Sequence, residues 1–571
     1  MDTSPFDDIL NTNAILSDAE CQRIHDLLAG PRKNLSGLMD EISRIQAELD
    51  QLTQKRVELE GFIHAHEALL SPMRRLPDDT LRDIFLAALP SARCATLSTA
   101  DPPLLLCHIS QRWRSLALST PGLWASLHIA MPPIEDERTA HSAKLGEIGH
   151  VVKDWLSRSG ALPLSISLLI YRSASGYYPI QQLLTIFIQY SRRWKSIRLD
   201  FPSHYLFAGL QVLRATDVPL MRSAIISGFD SLQPGPEFSA DPDTLSYLSF
   251  LDVPDLKRLS LQSGYYYDLH VHWDALKHLS FRTAHLSQTD AVEALRQCPA
   301  LEACTITIDT FSHDSESTSP RPCYLGQLRR LSVEDNAPQS TFFFQSLVLP
   351  NLHCLEYTYS VPLWDPRVPL ACFAVLPSAP CLETLHLRVS TATTDALVAG
   401  LRLAPMLREF RISGEPPILD NRSPFPEYDP GLIPLLTPTP GEPMLCPRLQ
   451  HITLSHFSSM SDAALLAFLL ARTDPSLPVD ARLTSARVRI DRPPDADIDI
   501  GLVLQQRIAD GLQLSLEYGE FPRQQLYRQL YYPYSTATSR TSGKKDEDHD
   551  WNPIFFEWQP LMPRVYPPPP I

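Results

Sequence analysis

The stretch Leu-Glu-Thr-Leu-His-Leu at residues 382–387 shows the pattern that decides the fold. Its spacing, L-x-x-L-x-L, predicts a strand, because strand side chains alternate and the last two leucines then share one face. The copies start mostly 20 to 30 residues apart, and in six of the eight clear ones a proline stands two residues before the first leucine. The other clear copies begin at Leu256, Leu276, Leu301, Leu328, Leu352, Leu407 and Leu449, and weaker ones begin at Trp194 and Met221.

Period and pattern together predict irregular leucine-rich repeats over residues 149–530, each a strand followed by a returning helix or an irregular segment. An ordinary α/β domain with repeated strands is the alternative. Segments with helical apolar spacing are expected to be the returning elements, and they lie at 180–190, 289–295, 394–401 and 461–470. Strands at 486–490 and 512–518 with a helix at 502–512 are expected to form a terminal cap.

A second patterned stretch lies before the repeats, at residues 71–129. Pro77 suits the first turn of a helix, where its missing N–H has no partner to lose. Leu81, Ile84 and Phe85 then fall on one helical face, and Pro90 ends that helix. Leu105, Ile109, Trp113 and Leu116 make another apolar face, which closes before Pro121, and Trp124 follows in a short segment.

Residues 71–129 resemble an F-box in the order and spacing of two motif blocks. The first block is Leu76-Pro77 with Leu81, Ile84 and Phe85, and the second runs from Ile109 through Trp113 to Trp124. The resemblance implies docking onto the Skp-type adaptor of a cullin-based ubiquitin ligase. Asp79, Thr80 and Ser110 depart mildly from the family pattern. The residues expected to form or support the docking surface are Leu76, Pro77, Leu81, Ile84, Phe85, Ile109, Trp113, Leu116 and Trp124.

Residues 34–70 carry a heptad pattern of about five repeats, which predicts a coiled coil. Arg56 and His66 are the polar exceptions among the a and d positions. A homodimer through residues 35–70 is one interpretation, and a long helix folded against the F-box is the other. Residues 1–33 are expected to hold a short helix that ends near Gly30-Pro31, since Ser17 and Glu20 form a capping-box pair at its start.

The expected fold class is therefore α/β: a coiled-coil helix, a small all-α F-box and an irregular leucine-rich-repeat solenoid. Residues 130–148 are polar and contain Pro132-Pro133, so they are expected to form a linker. Residues 531–571 are rich in Tyr, Ser, Thr, charge and Pro, which predicts a disordered tail.

Composition narrows the function classes. A net charge of −15 argues against nucleic acid as the main partner. The acidic N-terminus lacks the apolar core of a signal peptide, and no apolar run is long enough to span a membrane. Ten scattered cysteines without a Cys-x-x-Cys pattern indicate reduced thiols and a cytoplasmic or nuclear location. No cofactor, metal or nucleophile motif occurs, so neither an enzyme nor a cofactor is expected.

Residues between the buried leucines of such strands line the concave face of a repeat solenoid, and here that face leans basic. An acidic or phosphorylated protein segment is therefore a candidate ligand, bound by arginine forks. The candidate contacts are Arg258, Arg282, Arg330, Arg388 and Arg411. A solvated surface of mixed charge is the alternative.

The leading functional hypothesis is a substrate-recruiting F-box subunit of a cullin-based ubiquitin ligase. It would dock the Skp-type adaptor through residues 71–129 and bind a protein substrate through the repeats. The alternative is a dimeric leucine-rich-repeat scaffold without a ligase role. Adaptor binding separates the two hypotheses.

Overall fold

The computed structural model describes most of residues 5–519, which cluster into two compact units, Met1–Ile84 and Phe85–Ile571. The segments outside the description include the predicted tail at 531–571. The residues that it leaves out are 1–4, 92, 132–137, 171–180, 202–206, 208, 229–247, 263–268, 283–285, 310–320, 338–339, 360–369, 390–392, 414–430, 440, 442, 458–459, 491, 496 and 520–571.

The first unit is dominated by one long helix, α1 (Asp18–Leu70). It begins with the expected capping box, in which the backbone N–H of Ser17 donates to Glu20 at 2.8 Å. The predicted end near Gly30-Pro31 is wrong, because α1 runs through Pro31. Proline removes the N–H that would bond the carbonyl four residues earlier. That residue, Leu27, is 44% exposed, so water can take the place of the missing donor.

Three short helices follow: α2 (Asp78–Ala87), α3 (Leu104–Ile109) and α4 (Gln111–Leu118). The second motif block is thus divided between two helices, and the predicted apolar face over Leu105, Ile109, Trp113 and Leu116 is not continuous. The division lies at Ser110, whose backbone is extended and whose hydroxyl accepts from the N–H of Trp113 at 3.1 Å. A serine in this conformation starts a helix instead of continuing one.

The second unit carries an open sheet of fourteen described strands, all parallel and in chain order, so that it resembles a leucine-rich-repeat solenoid. The strands before the middle are β1 (Ser126–Met131), β2 (Leu164–Ile170), β3 (Trp194–Phe201), β4 (Ser223–Gly228), β5 (Arg258–Gln262), β6 (His278–Phe281) and β7 (Ala303–Ile308). The remaining strands are β9 (Arg330–Asp335), β11 (Cys354–Tyr359), β12 (Thr384–Arg388), β13 (Glu409–Ser413), β14 (His451–Phe457), β15 (Ser485–Ile490) and β16 (Gln513–Tyr518). The short strands β8 (Cys323–Tyr324) and β10 (Leu347–Val348) pair separately.

Helices connect many of the strands and cover one side of the sheet's core. Four of them match predicted helices: α6 (Gln181–Ile188), α7 (Gln288–Arg296), α9 (Thr394–Arg402) and α11 (Asp462–Arg472). The predicted helix at 502–512 is instead two short helices, because the chain turns at Leu504. The other connecting helices are α5 (Arg138–Arg158), α8 (Thr341–Ser346), α10 (Leu432–Leu436), α12 (Ile500–Val503) and α13 (Gln505–Ala509).

The leucine pattern produces this sheet by alternating burial. In the copy at 382–387 all three leucines are buried, with at most 2% of their surface exposed. The register between neighbouring strands aligns equivalent positions of the repeats: Leu355 pairs with Leu385, which pairs with Phe410. Each pair stacks one apolar side chain on the next, and removing this surface from water is the main favourable term in folding.

The predicted boundaries at the start of the repeats need correction. The F-box segment was expected to end at residue 129 and a linker to follow at 130–148. The strand β1 covers residues 126–131 and pairs with β2, so the sheet begins inside the predicted F-box. The helix α5 starts at Arg138, inside the predicted linker. The predicted cap also continues the sheet, since β15 and β16 are its last two strands.

Candidate functional site

The residues expected to dock the adaptor divide into buried and exposed sets. Leu81, Phe85, Leu116 and Trp124 are buried, with no more than 5% of their surface exposed. Leu76 and Trp113 are half-buried. Pro77, Ile84 and Ile109 are exposed. The apolar periodicity selected both buried and exposed residues, because a helix has the same apolar spacing whether that face packs in a core or lies on the surface.

Trp124 belongs to the core of the second unit. Its indole N–H donates to the carbonyl of Ala117 at 2.9 Å, and its ring lies edge-on to Trp155 with centroids 4.8 Å apart. The guanidinium of Arg158 lies 4.9 Å from its ring centre. Trp155 in turn donates to the carbonyl of Ser126 at 3.2 Å, so these tryptophans connect α4, α5 and β1. We therefore assign Trp124 a supporting role.

In the part of α2, α3 and α4 that belongs to the second unit, four large apolar side chains remain open to water. Leu86, Leu105 and Leu118 are each 40% exposed, and Ile109 is 53% exposed. Leu105 and Ile109 are four residues apart on α3, so they lie on one side of that helix. Leu86, Leu105 and Leu118 were not among the predicted docking residues. The sequence pattern alone does not distinguish exposed leucines of these helices from buried ones. We call Leu86, Leu105, Ile109 and Leu118 the helical apolar patch.

The second candidate site is the open face of the sheet, made of the side chains that alternate with the buried ones. Its middle row is mainly polar, and the strand register aligns its members from one strand to the next. From β3 to β13 that row contains Arg198, Ile225, Ser260, Ser280, Thr305, Ser332, Glu356, His386 and Arg411.

The five predicted arginines do not form one pocket on this face. Arg258 and Arg330 begin their strands, Arg411 lies in the middle row, Arg388 ends β12 and Arg282 follows β6. From β5 to β13 they span seven strands in sheet order, or about 29 Å at the usual strand spacing. A single phosphate could contact only neighbouring members of this set.

One part of the open face is a cluster of opposite charges. The Nδ1 of His386 lies 3.5 Å from a Glu356 oxygen, and its Nε2 lies 3.7 Å from a Glu409 oxygen. Arg411 also donates to Glu409, through its Nε at 2.6 Å. Acids thus already neutralise part of the expected basic character here, which favours the predicted alternative of mixed charge for this region.

Burial and ion pairing oppose each other in this cluster. Burial alone would lower the pKa of His386, but contact with Glu356 and Glu409 outweighs it and raises that pKa. Contact with His386 lowers the pKa of Glu356, and it is the largest cause that brings the pKa of Glu409 down to about 2. His386 therefore holds its proton more firmly than an ordinary histidine, and both glutamates are ionised.

The amino edge of the sheet carries charged residues that the sequence reasoning missed. Each of them directly precedes the first open-face residue of its strand, and backbone hydrogen bonds join them from strand to strand. From β3 to β13 this amino-edge row contains Lys195, Arg222, Lys257, Lys277, Glu302, Arg329, His353, Glu383 and Arg408. A basic residue just before the strand in most early copies is visible in the sequence, but its alignment depends on the strand register.

Within the described residues, no group of three or more His, Cys, Asp or Glu side chains is arranged to hold a metal ion. No described helix is both long enough and apolar enough to cross a membrane. All ten cysteines are free thiols, and burial raises the pKa of Cys354, on the open face, to about 12. That thiol is therefore protonated at neutral pH and is a poor nucleophile.

No protein family matches this chain, and no curated protein matches it. Solved structures do match, among them the crystal structure of a TLR13–ssRNA13 complex. That match has 14% sequence identity and a TM-score of 0.19, and it covers 52% of each chain. The chain thus spans about half the length of that structure, and a match this weak carries no argument about function. The leucine-rich-repeat-like architecture rests on the strand order and burial described above.

Proposed function

We propose that this protein is a substrate-recruiting subunit of a cullin-based ubiquitin ligase. The Skp-type adaptor docks on the F-box-like helices, and a protein substrate binds the open face of the repeat sheet. The observation that carries the proposal is the helical apolar patch, whose four large side chains are exposed on helices that bury other leucines, such as Leu106 and Leu116. Exposed apolar surface of this kind marks protein interaction sites. The F-box resemblance of residues 71–129 supplies the adaptor as its partner.

Adaptor capture tests the proposal. The full chain is expressed with the Skp-type adaptor and purified through a tag on the chain, and the adaptor should co-purify. Leu105→Asp/Ile109→Asp places two charges in the contact and should abolish capture. Both side chains are exposed, so the variant keeps its fold, whereas Leu81→Asp would introduce a charge at a fully buried position.

Leu403→Asp/Leu470→Asp is the matched control, because these leucines are 45% and 38% exposed on or beside helices of the repeats. It should capture the adaptor as the unaltered chain does. Failure of the unaltered chain to capture the adaptor, or equal loss in both variants, would contradict the proposal.

A dimeric scaffold without a ligase role is the second candidate, and α1 favours it. Its heptad side chains are 45% to 67% exposed, so nothing among the described residues covers them. The members of this stripe are Leu35, Leu38, Ile42, Ile45, Leu49, Leu52, Leu59, Ile63 and Leu70. A second copy of the helix would bury the stripe by knobs-into-holes packing. Dimerisation is compatible with adaptor capture, so only loss of capture selects the scaffold.

A further inference from the structure

The amino-edge row concentrates positive charge on one part of an acidic protein. From β3 to β9 it holds five cations and one acid, Glu302. The acids nearest in sequence, Asp255 and Asp274, precede the row by two and three residues. The row's cations in this segment are Lys195, Arg222, Lys257, Lys277 and Arg329.

The backbone holds these residues in line. The N–H of Arg222 donates to the carbonyl of Lys195 at 2.9 Å, and Lys257 donates to Arg222 at the same distance. The ladder continues through Lys277 and Glu302 to Arg329 with distances of 2.8 to 2.9 Å. Six strands in sheet order therefore present their charges at intervals of about 4.8 Å, over about 24 Å.

The next row adds to the same charge. Arg258 and Arg330 stand one residue after Lys257 and Arg329, at the first open-face position of their strands. The electrostatic effect of the group is visible on its one acid: a hydrogen bond from Lys277 is the largest cause that lowers the pKa of Glu302, and His278 and Arg329 add to it. Lys277 and Glu302 are 2.6 Å apart.

The positive segment has a defined end. Past β9 the row continues with His353, then with Glu383 and Arg408, whose charged atoms are 3.8 Å apart. Within the described residues, Lys195, Arg222, Lys257 and Arg329 are exposed or half-exposed and make no ion pair with an acid. We call the row from Lys195 to Arg329, with Arg258 and Arg330, the basic edge.

We propose that the basic edge binds an extended acidic segment of a protein partner, laid across the strands from β3 to β9. This deepens the proposed function, since the segment would belong to the substrate. An extended chain advances about 3.3 Å per residue, so about seven or eight residues cover the edge. Exposed lysines and arginines in a line match carboxylates along a strand-like segment by charge complementarity.

The chemistry of the face favours a peptide over a single-stranded nucleic acid. Nucleic-acid binding without sequence preference uses aromatic side chains on which bases stack. The open-face positions of the described strands hold no Phe, Tyr or Trp side chain, and several positions next to the basic edge are small, such as Ser260, Ser280 and Thr305. Small side chains let a peptide backbone approach the sheet closely.

The test is a titration of the full chain against a fluorescein-labelled octapeptide of alternating Asp and Glu, followed by anisotropy. Binding should weaken as salt rises from 50 to 300 mM, because the charges are exposed. Arg222→Glu/Lys257→Glu/Arg329→Glu replaces three attractions by three repulsions and should weaken binding at least about tenfold. The matched control, Lys153→Glu/Arg402→Glu/Arg507→Glu, makes the same charge change away from the edge and should bind within about twofold of the unaltered chain.

Three results would overturn the proposal: equal affinity in both triple variants, equal binding of an octapeptide of alternating Gln and Asn, or tighter binding of an eight-nucleotide oligothymidine than of the acidic peptide. The last result would assign the edge to nucleic acid. None of these measurements involves residues 71–124, so adaptor capture and peptide binding succeed or fail separately.

Discussion

Replacing Trp124 tests whether the apolar spacing of the F-box-like stretch serves the core or the surface at this position. Trp124→Ala removes a fully buried indole that contacts Trp155 at 4.8 Å. Deleting such a side chain from a core costs about 3–5 kcal/mol, with the lost aromatic contact included. Trp124→Phe keeps most of the ring but loses the hydrogen bond to Ala117, worth about 0.5–1.5 kcal/mol.

The loss in Trp124→Phe stays small because the carbonyl of Ala117 keeps a second donor, the N–H of Thr120 at 3.2 Å. The smaller ring also leaves a cavity, so we expect a total of about 1–3 kcal/mol. Ile109→Ala, at an exposed position, should stay within about 0.5 kcal/mol of the unaltered chain. The three variants should therefore rank as Trp124→Ala, Trp124→Phe and Ile109→Ala in decreasing cost.

The assay is urea unfolding followed by far-ultraviolet circular dichroism, because removing a tryptophan alters fluorescence directly. Unfolding free energies compared at equal slope give the stability difference. An unchanged midpoint for Trp124→Ala, or a larger loss for Ile109→Ala than for Trp124→Ala, would refute the placement of Trp124 in the core.

Three further predictions concern other parts of the chain. Ile42→Asp/Leu49→Asp should convert the dimer to a monomer, as measured by light scattering. Val57→Asp changes an exposed residue outside the heptad stripe and should leave the dimer intact. A monomeric unaltered chain would contradict the coiled coil. Because its ion pairs raise the folded-state pKa of His386, its stabilising contribution is fully present below the unfolded-state pKa of about 6.5 and is lost as pH rises through the folded-state pKa. His386→Gln should therefore reduce the fall in the urea midpoint between pH 6 and 8, and an unaltered slope would exclude this account. Ser461→Ala removes the hydroxyl that accepts from the N–H of Ala464 at 3.2 Å and should cost about 0.5–2 kcal/mol in urea unfolding, unless the cap contributes nothing, in which case the midpoint will not move.

The sheet was predictable because its signal is local and repeated. Two inward, mostly apolar residues in each copy, such as Leu385 and Leu387, specify both the strand and its buried face. β1 escaped detection because Trp124, Leu127 and Ile129, which have the repeat spacing, overlap the F-box-like motif and were assigned to it. Pairing with β2 shows that this segment also begins the sheet.

Helix boundaries were harder to predict, for two physical reasons. Pro31 is a strong local signal for a helix end, but the exposed turn around it tolerates one missing hydrogen bond. At Ser110 the apolar residues keep helical intervals on both sides of a break, so their spacing does not reveal it. Solvent exposure thus explains why the helix continues through Pro31, and side-chain capping explains why a new helix starts after Ser110.

The candidate sites depended even more on three-dimensional alignment. Apolar spacing placed Ile109 and Trp124 in one predicted docking set, although only Ile109 is exposed. The basic edge requires the strand register, since Arg222 and Lys257 are far apart in sequence and adjacent in the ladder. Counting arginines on the open face alone drew attention to Arg411, which Glu409 already holds.

The most direct test of the central claim is hydrogen–deuterium exchange of the full chain with and without the Skp-type adaptor. Docking on the helical apolar patch should slow amide exchange in α2, α3 and α4 and leave the repeat helices α7, α9 and α11 unchanged. Protection confined to the repeats, or no protection anywhere at saturating adaptor, would contradict the proposal that this protein is an adaptor-bound ligase subunit.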